Sequence, residues 1–447
     1  MNILLAEILN AREARAARQQ ALLREFHCPV VCFTMNIAGP VKTSPLIRRA
    51  FDTGLAALES ALENHPVLSR EILHQITGDE AVFCVDAPAE ALKKICVAIE
   101  EGSSMGRLFD MDVLDISGRK LERDRERCCL VCGKPGRSCA AGRLHSVDQL
   151  QEATKTLITS HFDGEDAQRI RDLAQKALLQ EVRTTPKPGL VDLRNNGSHR
   201  DMDVGLFEAS IRSLGPYFAR CASIGQSTAQ LDPQDVFPYL REAGIAGEEA
   251  MFRATGGVNT HKGAIYTLGI LCAAVARLGH TGQTRPTEDA VLSLCARIAG
   301  AAAEKDLANA SGETAGLRLY RQLGIRGIRG EMADGLPSLS QIALPAFREA
   351  LGRGCSPNDA GAVALLHLVA NVGDTTLYHR GGPEGAAFAA AAAKALLEQN
   401  PLPSKRELEA LDDAFISRRL SPGGCADLLA AAYFLYFVCD GQIPEWT

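Results

Sequence analysis

Apolar positions fall into two regimes along the 447-residue chain. Up to about residue 155, helical and alternating patterns take turns. "LAEILNAREARAARQQALLREF" and "APAEALKKICVAIEEG" carry apolar residues at helical spacing. "PVVCFTMNI" is a β-branched run opened by Pro29. "EILHQITGDEAVFCVDAP" predicts strand, turn, strand, with Gly78-Asp79 as the turn, and "GRLFDMDVLDISGRK" predicts a further strand. From about Asp163 the pattern is almost wholly helical. "DGEDAQRIRDLAQKALLQEV" opens on acidic residues that suit a helix N-terminus. Further helices are expected near 205–222, 236–253, 260–279, 287–304, 338–351, 358–371, 384–399 and 423–438.

The texture predicts an α+β domain over 1–155 and a mostly all-α domain over 160–447, divided near 150–163. Alanine and glycine are frequent and aromatics are 5%, so close helix packing is expected. Hydrophobic content of 46% and charged content of 23% fit a globular protein. The net charge is −6, and basic residues concentrate only in the first helix and in 119–127. No nucleic-acid partner is expected on that balance. No run reaches the ~18 apolar residues of a membrane span, and the charged first segment does not read as a secretory leader. Fourteen cysteines without a leader predict a reducing cytoplasmic setting.

Polar clusters sit between the helices of the second half. "TPKPGLVDLRNNGSHRDMD" (185–203) holds Lys187, Asn195, Asn196, His199, Asp201 and Asp203, more polar groups than a connector needs. Asp201 and Asp203 suit Mg²⁺, whose ligands are oxygens, or Asp203 caps the next helix. "RATGGVNTHKGAIYTLG" (253–269) offers Gly256 and Gly257 for close backbone approach, then His261 and Lys262 at a helix start, a phosphate-binding geometry. It lacks the spacing of a nucleotide P-loop. "GIRGIRGEMADGLPSLSQIALP" contributes Arg329 and Glu331, a phosphate contact or a surface ion pair. "NVGDTTLYHRGG" contributes Asp374, His379 and Arg380. "SPGGCADLLAA" places Asp427 within an apolar helix, where an unpaired carboxylate is costly. Carboxylates for metal or base work together with cations for phosphates make the composition of a nucleotide site.

In the first half, Asp110 and Asp112 alternate with Phe109 and Met111, so on a strand they share a face. Nucleotidyl-transfer enzymes present Mg²⁺ to a triphosphate with such a pair, so a nucleotidyltransferase-like domain is expected, although a lone D-x-D is also common on strands without that role. In "RCCLVCGKPGRSCAAGRLHS", Cys129, Cys132, Cys139 and His145 supply four zinc ligands or are packed thiols beside a basic loop with Arg137 and Arg143. The spacing before Cys139 is short for two independent knuckles.

These motifs carry a resemblance. "EVRTTPKPGLVDLRNNGSHRDMD", "TGGVNTHKGAIYTLG", "GIRGE", "DTTLYHRGG" and "SPGGCADLLA" resemble the triphosphoribosyl-dephospho-CoA synthase (CitG) family over about 180–432. "GRLFDMDVLD" and "ERCCLVCGKPGRSCAAGRLHS" resemble the apo-citrate lyase phosphoribosyl-dephospho-CoA transferase (CitX) family over roughly 1–155. Two departures stand out: Thr376 where the family usually has Asn, and Gly142 where it tends to a larger polar residue. The resemblance implies that the helical half joins ATP to 3′-dephospho-CoA and releases adenine. It implies that the mixed half moves the phosphoribosyl-dephospho-CoA unit to a serine of the acyl carrier (γ) subunit of citrate lyase and releases pyrophosphate. Asp201, Asp203, Asp374 and Asp427 are then the candidates for base or Mg²⁺ work. Lys262, Arg329 and Arg380 fall to the triphosphate, Asp110 and Asp112 to Mg²⁺ in the second step, and Arg137 and Arg143 to its phosphates. Three other readings compete. They are the malonate decarboxylase counterpart, a non-catalytic citrate lyase assembly factor, and a hydrolase of ribosyl bonds.

Overall fold

The computed structural model describes residues 5–123, 126–283, 285–308, 319–322 and 324–441. The chain forms two compact units, one of residues 1–162 with 282–284, the other of residues 163–281 with 285–447.

The first unit is built on four antiparallel strands: β1 (Val30–Met35), β2 (Val67–Gln75), β3 (Gly78–Val85) and β4 (Phe109–Leu114), in the order β2-β3-β1-β4. Helices α2 (Pro45–Leu62) and α3 (Ala89–Glu101) belong to the larger core of this unit. In it Phe33 of β1 stacks on Phe51 of α2 at 4.8 Å. Helix α1 (Leu5–Phe26) contributes Leu22 and Leu23 to a smaller cluster with Val30, Cys32, Val82 and Cys84. Alternate residues of the sheet thus enter two clusters, which is why β1 is buried along Val30–Phe33 rather than alternating. Edge strand β4 does alternate, with Phe109, Met111 and Val113 buried and Asp110, Asp112 and Leu114 partly exposed. The hairpin turn lies at Ile76-Thr77, two residues before the expected place; Gly78 is already paired with Gln75.

The second unit is helical. The helix expected to start at Asp163 has no start there, because α5 runs unbroken over Val147–Arg183. Asp163 sits inside it, paired with His280 at 3.0 Å, a tertiary contact that outweighs the weak helix propensity of Asp163-Gly164. Helices α6 (Val204–Ser227), α7 (Phe237–Ala254), α8 (Lys262–His280) and α9 (Glu288–Ala308) follow. Then come α10 (Gly327–Ala333), α11 (Leu344–Gly352), α12 (Pro357–Asn371), α13 (Thr375–Gln399), α14 (Lys405–Ser417) and α15 (Gly423–Cys439). Small residues do bring helices close. A Cβ on Gly225 of α6 would meet the Ala273 carbonyl oxygen of α8 at 2.1 Å, so only glycine fits. Contrary to the sequence reading, α8 is long and apolar enough to cross a membrane. Its residues are mostly buried, and it packs against α6, α9 and α15 as a core helix. α13 starts nine residues earlier than expected and kinks at Gly382-Pro383.

Candidate active sites

Three helix N-termini open onto one cavity of about 950 Å³ in the helical unit: α8 at His261–Gly263, α13 at Asp374–Thr376 and α15 at Gly423–Asp427. Each brings the positive end of a helix dipole to the same space, a setting for anions. The short α10 adds Arg329 and Glu331 to the wall.

The carboxylates there differ in how far they are committed. Asp374 is buried and caps α13, accepting from Thr376 N at 2.7 Å and Leu377 N at 3.1 Å; its other oxygen accepts from Cys425 N of α15 at 2.8 Å. It ties two helix starts together, and burial still raises its carboxyl despite these three bonds. Asp427 is partly buried, and the Ala264 backbone N–H at the start of α8 acts to lower its carboxyl. Desolvation, then the nearby charges of Glu181 and Asp374, push its carboxyl well above the ordinary range. Glu181 of α5 also lines the cavity and forms a buried ion pair with Lys187. Burial raises Glu181, against the lowering pull of the Lys187 ammonium. Glu331 is held by Ser338, through Oγ at 2.7 Å and N at 3.1 Å.

His261 is buried, with Nδ1 2.8 Å from Ser210 Oγ. Thr260 Oγ1 in turn donates to Ser210 Oγ at 2.8 Å. With Thr260 donating to it, the Ser210 hydroxyl is free to donate to Nδ1, the arrangement in which the ring carries its proton on Nε2. Burial and the Lys187 charge depress the imidazolium to about 3, so the ring is neutral. Its Nε2 is buried and has no hydrogen-bond partner among the described residues, and the residue lines the cavity. His199 touches Ser421 Oγ at 2.9 Å and Arg380 at 3.0 Å; burial and the Arg380 charge lower it to about 4. Lys262 pairs with Glu248 at 2.6 Å, and Arg329 lies 3.7 Å from Asp306. These two, Arg380 and the exposed His379 face the cavity as the sequence predicts.

Several expected residues stand elsewhere. Asp201 and Asp203 are exposed and do not line the cavity; Asp203 caps α6, accepting from Leu206 N at 2.8 Å. Gly256 and Gly257 turn the chain out of α7 at φ +63° and +92°, exposed and outside the cavity, so the structure places them in the turn. Asn195 bonds Asp412 at 2.8 Å and Asn196 is exposed; both shape the loop, which Asp412 anchors through Gly189 N and Arg194. Lys187 reaches the cavity wall but is locked to Glu181, so it is not a free phosphate ligand. Glu181 and Ser210 escaped the sequence reading. Both are polar residues on otherwise apolar helix faces, which was the available signal.

The first unit has its own cavity, about 1470 Å³, beside β4. Asp110 and Asp112 share one face of the strand, as their spacing predicts, and both line it. Asp112 is paired with Lys120 at 2.6 Å and Asp110 lies 3.5 Å from Arg127. A divalent cation there would replace or share these partners; two carboxylates on one face are suitable oxygen ligands. Glu100 of α3, unremarked in the sequence, accepts from Met111 N at 2.7 Å and pairs with Arg127, fixing both strand and arginine. Arg137 and Arg143 are exposed and also line it. Cys129, Cys132, Cys139 and His145 also converge, with ligand atoms all within 4.8 Å of one another.

Comparison with known proteins divides the chain between two families. Residues 3–161 match the family described as apo-citrate lyase phosphoribosyl-dephospho-CoA transferase, CitX. Residues 167–443 match the family described as ATP:dephospho-CoA triphosphoribosyl transferase, CitG. The chain is a fused CitX–CitG family member. It is 36% identical over 452 residues to Protein CitXG of Haemophilus influenzae, covering 97% of this chain and 96% of that protein. Protein CitXG of Leuconostoc mesenteroides is 31% identical, with 96% of each covered. The 2-(5''-triphosphoribosyl)-3'-dephosphocoenzyme-A synthase of Pectobacterium atrosepticum is 43% identical over 261 residues, 58% of this chain and 86% of that protein. The fused CitX–CitG chain is therefore a bifunctional transferase of citrate lyase prosthetic-group biosynthesis, with a triphosphoribosyl-dephospho-CoA synthase half and an apo-citrate lyase transferase half.

Proposed function

We propose that the helical unit uses ATP and 3′-dephospho-CoA as substrates and releases adenine. A ribose hydroxyl of dephospho-CoA attacks C1′ of the ATP ribose. The C1′–N bond breaks, the hydroxyl proton passes to a carboxylate, and an equivalent proton returns to the adenine nitrogen, so that neutral adenine leaves. The transition state is oxocarbenium-like, as in glycoside chemistry. The observation that carries this reading is the convergence of three helix N-termini on a cavity that also holds an underused carboxylate. Asp374 spends both oxygens on backbone N–H groups, whereas Asp427 retains accepting capacity and a raised carboxyl. Asp427 is the base in this reading. The Nε2–H of neutral His261 is the donor suited to the leaving adenine nitrogen. Lys262, Arg329 and Arg380 meet the triphosphate. The carboxylate of Glu331 offers an oxygen ligand for Mg²⁺, which would supply further charge neutralisation.

The mixed unit is read as nucleotidyltransferase-like, with Asp110 and Asp112 as Mg²⁺ ligands and Arg137 and Arg143 toward phosphates. A serine oxygen of the citrate lyase acyl carrier attacks the phosphorus next to the ribose, and pyrophosphate leaves; positioning and charge neutralisation dominate such a step. A cytosolic setting belongs to the same reading. Incubation with ATP, with and without dephospho-CoA, tests it. Adenine release only with both supports the synthase. Release with ATP alone indicates a hydrolase, and no release overturns the reading.

A further inference from the structure

We propose that Cys129, Cys132, Cys139 and His145 form a structural zinc site in the transferase half. Their ligand atoms lie within 4.8 Å of one another, and Cys132 Sγ is 3.4 Å from Cys139 Sγ. Zinc bound at about 2.3 Å to sulfur and about 2.0 Å to nitrogen holds tetrahedral ligands roughly 3.3–3.8 Å apart. The 3.4 Å contact has that spacing and is far beyond the roughly 2.05 Å of a disulfide. Three thiolates and an imidazole are a donor set that selects zinc over magnesium or calcium.

The backbone points to the same ligand. The segment Cys129-Leu-Val-Cys132-Gly133 closes a tight turn, with Gly133 N donating to Cys129 O at 3.0 Å and Cys129 N to Lys134 O at 2.6 Å. Gly133 turns at φ +71°. The third cysteine comes from the short α4 (Gly136–Gly142), buried beneath the turn. Independently, the Nε2 of His145 is buried with no hydrogen-bond partner among the described residues, a cost that a metal bond to the imidazole would offset.

The site also answers what holds this segment. Residues 127–146 contain no strand and few buried apolar side chains, yet they carry Arg137 and Arg143, which line the same cavity as Asp110 and Asp112. Zinc would fix that segment, and binding would release the thiol protons. The effect on catalysis rests on the transferase reading above, whereas the metal site does not.

The test uses the full chain, produced with zinc supplied and purified without chelator. Metal analysis should find about one zinc per chain, and exchange with Co²⁺ should give the intense absorption of tetrahedral thiolate coordination. Cys132→Ser and His145→Ala should each weaken zinc retention about tenfold or more, with adenine release unchanged because it belongs to the other unit. A chain free of zinc that gives no such Co²⁺ spectrum overturns the proposal. So does undiminished zinc in Cys132→Ser, or a Cys132–Cys139 disulfide in freshly isolated protein.

Discussion

Asp427 Oδ2 lies 1.9 Å from where a Cβ on Gly263 would stand. The first turn of α8 and the first turns of α15 can approach only because residue 263 has no side chain. That approach brings the Ala264 N–H close enough to act on the Asp427 carboxylate. Gly263→Ala should therefore displace the carboxylate and lower adenine release with little change in the rest of the helical core. Asp427→Asn keeps the shape and removes the base. Its turnover should fall by about 10²–10⁴-fold, the usual contribution of a general base. Adenine release by Asp427→Asn at the wild-type rate would exclude Asp427 as the base and leave it a packing residue.

His261 makes a pH prediction of definite sign. Its ring is neutral when folded, with the imidazolium depressed to about 3 by burial, against an ordinary value of 6.5. Below pH 6.5 the unfolded chain takes up a proton that the folded chain refuses. Stability is then lost as pH falls from 6.5 toward 3, by up to about 1.4 kcal/mol per pH unit from this one group. Raised carboxyls such as Asp374 act in the opposite direction: they favour the folded state at low pH and lose that contribution as pH rises. Comparing wild type with His261→Gln isolates the histidine. Chemical denaturation between pH 7 and 4.5 should show the wild-type curve falling more steeply. Parallel curves would mean that His261 titrates alike in the folded and unfolded chain and is not held neutral by burial.

Lys187 and Glu181 form the buried pair beneath the same cavity. Removing one partner leaves an uncompensated buried charge, so Lys187→Met should cost about 3–5 kcal/mol of stability. Adding Glu181→Gln should recover part of that loss. If Lys187→Met instead unfolds like wild type and raises the KM for ATP, the lysine is a phosphate ligand and not a structural partner.

The alternation at Asp110 and Asp112 was readable because a strand with one face buried has a period of two. The helical stripes were readable for the same kind of reason. The start of α5 was not, since Asp163 and Gly164 look like an N-terminus until His280 is seen beside Asp163. α14 was overlooked although Ser404 and Glu407 form a capping box that the sequence spells out. In the site, loop composition pointed to 185–203, but composition does not say which carboxylates turn inward. Asp201 and Asp203 face solvent, while Glu181 arrives from a neighbouring helix face. Convergence of three helix starts is a tertiary property with no local signature.

Asp110 and Asp112 separate the two activities. Both line the transferase cavity, and each already has a cationic neighbour, Arg127 at 3.5 Å and Lys120 at 2.6 Å. Asp110→Asn should abolish labelling of the acyl carrier while adenine release continues at the wild-type rate. The triphosphoribosyl-dephospho-CoA intermediate should then accumulate.

Lys120 sharpens that prediction. If the lysine merely stands in for a cation, Lys120→Met should lower the Mg²⁺ concentration needed for half-maximal labelling. If the lysine itself binds phosphate, Lys120→Met should leave the Mg²⁺ requirement unchanged and weaken binding of the intermediate. Measured labelling rates across a Mg²⁺ titration distinguish the two. Unaltered labelling in Asp110→Asn, with the Mg²⁺ titration also unchanged, would remove the aspartate pair from the metal site altogether.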